Sequence, residues 1–232
     1  MRWVSPTIFL LIALNSYAQK IESNEQQRNL MVENQIVARG ITDQYTIKAL
    51  KKVPRHLFIP YALAELAYND SPLPIGNEQT ISQPYVVALM TELSKPRKGK
   101  KALEIGTGSG YQAAVLAEIV DQVYTIEIVK ELAETAKKRL LGIGYKNIFV
   151  KYGDGYKGWP EFAPFDIIII TAACDHIPQP LIDQLNENGR LIMPLGNPKE
   201  IQDLILLEKK NGKIVEKRIT QVQFVPFTRE KR

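Results

Sequence analysis

The sequence predicts a doubly wound, mostly parallel α/β sheet with an N-terminal helical addition, and three observations carry that prediction. From Lys101 onward, short apolar runs alternate with helical patterns. The run Phe165-Asp-Ile-Ile-Ile-Ile170 is apolar on both faces, as a strand covered by helices on each side must be. The stretch Lys101-Ala-Leu-Glu-Ile-Gly-Thr-Gly-Ser-Gly-Tyr-Gln112 passes from an apolar strand through three alternating glycines into a helix. There the backbone turns sharply and a ligand can approach the unpaired N–H groups of a helix start.

The elements follow in order. Asn24 to Ala38 has a polar-rich helical pattern with Leu30, Met31 and Val37 as apolar contacts, closed by Gly40. A second helix starts from Thr42 as N-cap, with Asp43 in its first turn, and runs through Leu50. Pro54, Pro60, Pro72, Pro74 and Pro84 then break regularity, so residues 54–84 form a long ordered loop region of the kind that carries a site. A helix over about Pro84 to Leu93 precedes strand 101–105, helix 111–120, strand 123–127, helix 129–141 ended by Gly142, strand 147–152 and strand 165–171. Pro180 suits the first turn of a helix to Asn186, and Gly189 opens the strand Arg190-Leu-Ile-Met-Pro194. Two late strands, about 203–208 and 214–225, complete a mixed sheet. The chain divides into a leader at 1–18, a helical and substrate-loop region at 19–95, and the sheet domain at 96–232.

With 232 residues, 45% hydrophobic and 24% charged, the chain has the balance of a globular protein with a sizeable core. Its net charge of +5 is spread along the chain without a basic stripe interleaved with aromatics, so nucleic-acid binding is not indicated. The single cysteine, Cys174, cannot close an intramolecular disulfide, and His56 and His176 offer no metal-ligand spacing, so no metal is expected. At the N-terminus, Arg2, the apolar run Ile8 to Leu14 and the small-x-small site Ser16-Tyr-Ala18 resemble a secretory signal. The apolar run is too short for a permanent membrane span. The expectation is a periplasmic or secreted monomer without stable membrane association, with a cytoplasmic chain that keeps this segment as the alternative.

Spacing selects the ligand of the glycine loop. The dinucleotide fingerprint G-x-G-x-x-G is missing, because Tyr111 stands three residues after Gly108. Instead Glu104 precedes the loop, and Glu127 closes the next apolar run, Val123-Tyr-Thr-Ile-Glu127. This is the arrangement of Rossmann-like S-adenosylmethionine (SAM) methyltransferases. In such a site Glu104, Gly106, Thr107, Gly108 and Gly110 face the methionine moiety, and Glu127 accepts hydrogen bonds from the ribose hydroxyls. Asp154, in Gly153-Asp-Gly155, offers an acceptor to the adenine amine.

Further segments sharpen the resemblance. Val53-Pro-Arg-His-Leu-Phe-Ile-Pro60, Asp70-Ser-Pro-Leu-Pro-Ile-Gly76, Gln79-Thr-Ile-Ser-Gln-Pro-Tyr85, Leu103 to Ala114, Ala163-Pro-Phe-Asp166, Thr171-Ala-Ala173, Pro180 to Leu185 and Phe224-Val-Pro-Phe-Thr228 resemble the signature segments of the protein-L-isoaspartate O-methyltransferase family. The resemblance runs from about residue 28 to 228. It implies methylation, with SAM as cofactor, of the free carboxylate of L-isoaspartyl and D-aspartyl residues in damaged proteins and peptides. The ester then closes to a succinimide, whose hydrolysis returns some normal aspartyl linkage. Carried over by position, the family's active-site serine falls on Ser82, and Gln79, Thr80 and Ile81 form part of the cofactor and substrate wall. Tyr85, Gly155 and Thr228 fall near the cofactor, and Ala172 and Ala173 in a substrate-facing loop. One position departs: many bacterial members have Gly where this chain has Glu78.

The residue types agree with that chemistry. A carboxylate is already ionised near neutral pH, so its methylation requires alignment and a dry enclosure rather than a strong base. Ser82 would orient the acceptor carboxylate, although before Pro84 and Tyr85 it also has the position of a helix N-cap. Cys174 and His176 as a nucleophile and base, a SAM methyltransferase acting on a small molecule, and a non-catalytic exported binding protein of the same fold are the alternatives.

Overall fold

The alternating pattern after Lys101 forms the centre of a seven-stranded sheet in the computed structural model, which describes residues 23–229. The expected leader at 1–18 lies outside the described residues. Strands β3 (Lys101–Ile105), β4 (Gln122–Glu127), β5 (Ile148–Tyr152), β6 (Phe165–Ile170), β7 (Leu185–Leu195), β8 (Gln202–Lys210) and β9 (Lys213–Val222) are ordered β5-β4-β3-β6-β7-β8-β9. Pairing is parallel from β5 through β7 and antiparallel from β7 through β9. Connections leave β3 toward β4 and β5 on one side and reach β6 and β7 on the other. The carboxyl ends of β3 and β6 therefore flank the topological switch point, where such sheets bind ligands.

Both faces of the sheet are covered, as the apolar run at 165–170 demands. Ile168 and Ile170 pack with Leu103, Ile105, Leu191 and Met193 on one face, and Ile167 and Ile169 with Ala102, Val123, Ile192 and Leu204 on the other. Helices α3 (Pro84–Ser94), α4 (Tyr111–Ala117), α5 (Lys130–Ile143) and α6 (Gln179–Asp183) complete these layers. The N-terminal addition consists of a helix over 23–31, here α1, and α2 (Gln44–Lys52), whose Met31, Ile47 and Leu50 join a third cluster with Phe58, Ile81 and Tyr111. Among the described residues no helix is long and apolar enough to cross a membrane.

Several boundaries differ from the sequence reading. α1 does not run regularly to Ala38: it widens into a π-helical turn at Val32–Ile36 and tightens at Val37–Arg39 before Gly40. Asp43, not Thr42, caps α2, its carboxylate accepting the Thr46 N–H at 3.0 Å. α4 stops before 120 because the Ile119 N–H turns to Leu116 O. α5 passes through Gly142 and ends at Gly144, where φ is +108° and the Gly144 and Tyr145 N–H groups close on Leu140 O. α6 is shorter than expected and β7 longer, since Gln184 O accepts the Phe165 N–H and Leu185 pairs with Phe165. β9 ends at Val222 rather than 225. The chain beyond it leaves the sheet and bridges Ala173, with Ala173 N–H donating to Val225 O and Phe227 N–H to Ala173 O, each at 2.8 Å.

The proline-rich region holds tight turns at Arg55–Phe58 and Tyr61–Leu66 and a hairpin of β1 (Leu73–Gly76) and β2 (Gln79–Ile81). Asn77 and Glu78 turn that hairpin at φ +50° and +57°. This is the left-handed conformation that favours glycine, and Glu78 adopts it with a side chain. Ile75 of the hairpin reaches the glycine loop, its Cδ1 lying 3.4 Å from where a Cβ on Gly108 would stand.

Candidate active site

A cleft of about 790 Å³, counting its open mouth, lies over the carboxyl ends of β3, β4 and β6. Four stretches wall it: Gln79–Ser82 from the hairpin, Glu104–Ser109 with Tyr111 and Gln112, Ile126–Val129, and Val225–Thr228; Val87, Gly155, Thr171 and Ala172 complete the lining. Position in the sheet explains the convergence, because β3, β4 and β6 each end here and the helix after the loop starts here.

Gly106 shows why the loop needs glycine. Its φ is +95°, and a Cβ on it would stand 2.4 Å from Thr171 Oγ1. That hydroxyl donates to Gly106 O at 2.8 Å, tying β6 to the loop across the switch point. Gly110, at φ +88°, forms the N-cap of α4 and faces Leu140 rather than the cleft. A Cβ on Gly155 would stand 2.3 Å from Ile105 Cγ2, so this glycine lets the 155–157 turn close on β3.

The two strand-end carboxyl groups have different partners. Glu127 accepts the Gly108 N–H at 2.8 Å through one oxygen and the Val129 N–H at 2.9 Å through the other. Each oxygen keeps a lone pair for a ligand hydroxyl. Glu104 is fully buried, and its Oε2 accepts the Thr125 hydroxyl at 2.5 Å, with Thr107 bonded to Thr125 in turn. Its Oε1 is buried with no partner. Burial pushes the Glu104 carboxyl up to about 8; the neighbouring Glu127 charge adds to this, and the Thr125 hydrogen bond opposes it.

These features fit a cationic, hydroxyl-bearing ligand. Among the described residues no Lys, Arg or His lines the cleft, so two carboxyl groups share it without a cation from them, and one buried oxygen has no donor among them. Ammonium and sulfonium groups would supply the charge, and ribose hydroxyls would suit Glu127.

The structure brings Gln79, Thr80, Ile81, Ser82, Glu104, Gly106, Thr107, Gly108, Glu127, Gly155, Ala172 and Thr228 together in one wall. Gln83, not Ser82, is the N-cap residue of α3. Four expected residues stand behind the wall. Gly110 is turned to Leu140. Ala173 is buried in the bridge to Pro226. Tyr85 lies on the outer side, its ring centroid 3.4 Å from the Arg39 guanidinium carbon. Asp154 caps the 155–157 turn, its carboxylate accepting the Tyr156 N–H at 3.0 Å, and also accepts Arg229 Nε, at 2.9 and 3.1 Å to its two oxygens. Sequence reasoning missed Thr171, Gln112, Val129 and Phe227 as lining residues. Thr171, Gln112 and Phe227 stand inside segments that carry the family resemblance.

Cys174 is no nucleophile in waiting, since burial pushes its thiol up. Its Sγ lies 4.0 Å from His176 Nδ1, which sits 2.5 Å from Asp175 Oδ1. Among the described residues these three form the one group whose ligating atoms all lie within 4.8 Å; Asp175 and His176 are exposed.

A glycine loop and two strand-end carboxyl groups, gathered at the switch point of a doubly wound sheet with a polar hairpin across the cleft, define a methyltransferase of the SAM-binding class. The family model described as protein-L-isoaspartate(D-aspartate) O-methyltransferase matches residues 25–232. The chain is 55% identical over 201 residues to a protein-L-isoaspartate O-methyltransferase of Gloeobacter violaceus, covering 87% of this chain and 98% of the relative. Its counterpart in Opitutus terrae is 50% identical over 222 residues, covering 96% and 95%. A crystal structure of a protein from Plasmodium falciparum, described as a protein-L-isoaspartate O-methyltransferase in complex with S-adenosyl-L-homocysteine, superposes with a TM-score of 0.76 at 28% identity. The match covers 87% of this chain and 98% of that one. The chain belongs to the protein-L-isoaspartate(D-aspartate) O-methyltransferase family.

Proposed function

We propose that this protein methylates the free carboxylate of L-isoaspartyl and D-aspartyl residues in damaged proteins and peptides, with SAM as cofactor, and so starts their repair. One observation carries the reading beyond family membership: among the described residues no imidazole, amine or thiol lines the cleft. Such a cleft suits an acceptor that arrives already ionised, and a carboxylate does so at neutral pH. SAM supplies an electrophilic methyl group on a cationic sulfur.

The chain's own residues bind, orient and enclose. Glu104 and the loop Gly106–Gly108 hold the methionine end, and Glu127 the ribose. Ile126, Ile128, Val129 and Phe227 supply apolar wall. Ser82 donates its hydroxyl to the acceptor carboxylate and sets its line of approach; it forms no covalent bond. The product is a methyl ester. Enclosure by the hairpin on one side and Val225–Thr228 on the other excludes water, and alignment within it supplies several kcal/mol of the rate enhancement.

Labelled methyl transfer to an isoaspartyl peptide and to its aspartyl twin tests the substrate. Transfer to the isoaspartyl form alone is expected, with Ser82→Ala slower by roughly 10 to 100-fold at nearly unchanged SAM affinity. Equal transfer to both peptides would remove the isoaspartyl assignment.

The Arg2, Ile8–Leu14 and Ser16-Tyr-Ala18 pattern supports export to the periplasm or beyond, with cleavage after Ala18. On this reading the enzyme acts as a monomer; exposed Lys213, Lys217 and Arg218 along the edge strand β9 discourage pairing with a second sheet.

A further inference from the structure

Ser82 is placed by its neighbours on the α3 side, and those neighbours are held from outside the cleft. The N-cap residue Gln83 makes no side-chain capping bond, and Pro84, the first residue of α3, has no N–H. The first donor the helix start offers is the Tyr85 N–H, which Asp70 Oδ1 accepts at 3.3 Å. Asp70 Oδ2 accepts Gln83 Nε2 at 2.8 Å and Arg39 Nη1 at 2.6 Å, and Gln83 Nε2 also lies 3.2 Å from Asp70 O. One carboxylate thus replaces the missing cap, neutralises the positive end of α3 and grips the residue next to Ser82. The loop that carries it is anchored in turn by the buried Arg55, whose Nε donates to Ala67 O at 2.8 Å. Asp70 does not line the cleft, and none of its partners belongs to the glycine loop, Glu104 or Glu127.

We propose that Asp70 is a positioning residue for the acceptor: through Gln83 and the start of α3 it fixes Ser82 against the cleft without bearing on the cofactor. The inference rests on the role given to Ser82 above. It separates two functions that share one cavity, since a lost grip at Asp70 loosens the acceptor side alone.

The test uses the full chain and the variants Asp70→Ala, Asp70→Asn and Asp43→Ala. Asp43→Ala removes the cap of α2, remote from the cleft, and serves as a matched stability control. Asp70→Ala is expected to lower kcat/KM for isoaspartyl peptide about 50-fold, and Asp70→Asn, which keeps one acceptor oxygen, about 5-fold. SAM affinity by calorimetry should stay within about two-fold in both, because Glu104, Gly106–Gly108 and Glu127, which hold the cofactor on the reading above, are untouched. Hydrogen exchange should quicken at the amides of residues 79–85 in Asp70→Ala and not in Asp43→Ala. Asp43→Ala should lower Tm with peptide kinetics unchanged. A peptide kcat/KM within about two-fold of the wild type in Asp70→Ala would overturn the inference, as would a loss of SAM affinity in equal proportion. If Asp70→Ala does not fold, Asp70→Asn decides by the same two criteria. A wild-type enzyme inactive on isoaspartyl peptide sinks the proposed substrate instead, and the exchange at 79–85 still reads the grip of Asp70 directly.

Discussion

Glu127 uses one carboxylate for two purposes, holding the Gly108 and Val129 amides while facing the cleft. Its replacement should therefore act on binding and on loop order together. Glu127→Gln turns an NH₂ toward one of those N–H groups. It is expected to weaken SAM binding by about 10 to 100-fold, the loss of one charge-assisted hydrogen bond or slightly more, in a chain that still folds. Calorimetric titration decides, and unchanged affinity would remove Glu127 from the site. Glu104 makes a pH prediction. Burial raises its carboxyl from 4.5 to about 8 in the folded chain, so between those values the folded state keeps a proton that the unfolded state releases. The stability that this carboxyl contributes to the ligand-free protein is then full below about pH 4.5 and is lost as pH rises toward 8, on the order of 1 kcal/mol per pH unit. Urea denaturation at pH 5 and pH 8 should show this slope in the wild type and a flatter one in Glu104→Gln. Equal slopes would mean that Glu104 is already ionised.

At the scale of elements, the sheet was legible because period-two and both-face apolar patterns survive any tertiary context that buries them, as Lys101–Ile105 and Phe165–Ile170 show. Helix ends were less so. Gly142 looked like a stop, yet nothing near it strains a helix, whereas Gly144 takes the positive φ that a stop requires. Likewise α6 and β7 meet at Leu185 because of a backbone bond between Gln184 and Phe165, nineteen residues apart in sequence and invisible to local pattern. The glycine loop and Glu127 were legible from spacing; the withdrawal of Asp154 and Tyr85 from the cleft was not, since Arg229 and Arg39 reach them from remote parts of the chain. The loop itself can be tested. In Gly106→Ala the new methyl would overlap Thr171 Oγ1, 2.4 Å away, and its φ of +95° is strained for any side chain. We expect a loss of about 1–3 kcal/mol of stability, and SAM binding too weak to titrate. A variant with wild-type affinity would show that the loop is free to shift.

At the scale of the whole molecule, the site draws on residues 79–82, on the central loops and on 225–228, so almost the entire described chain must fold to complete one cleft. The Arg2, Ile8–Leu14 and Ser16-Tyr-Ala18 pattern supports the proposed export: native protein should begin near Gln19 and lie outside the cytoplasm. N-terminal sequencing of fractionated cells checks this, and a cytosolic chain starting at Met1 would refute it. The bridge from Ala173 to Val225 and Phe227 has a further consequence for the order of events in biosynthesis. Because one wall of the cleft, Val225–Thr228, follows β9 in the chain, a nascent chain that has reached only Val222 can pair its seven strands but not complete its ligand site. A product cut short just past β9 would keep the strands and lack this wall, so synthesis of residues 225–228 becomes the licence for activity.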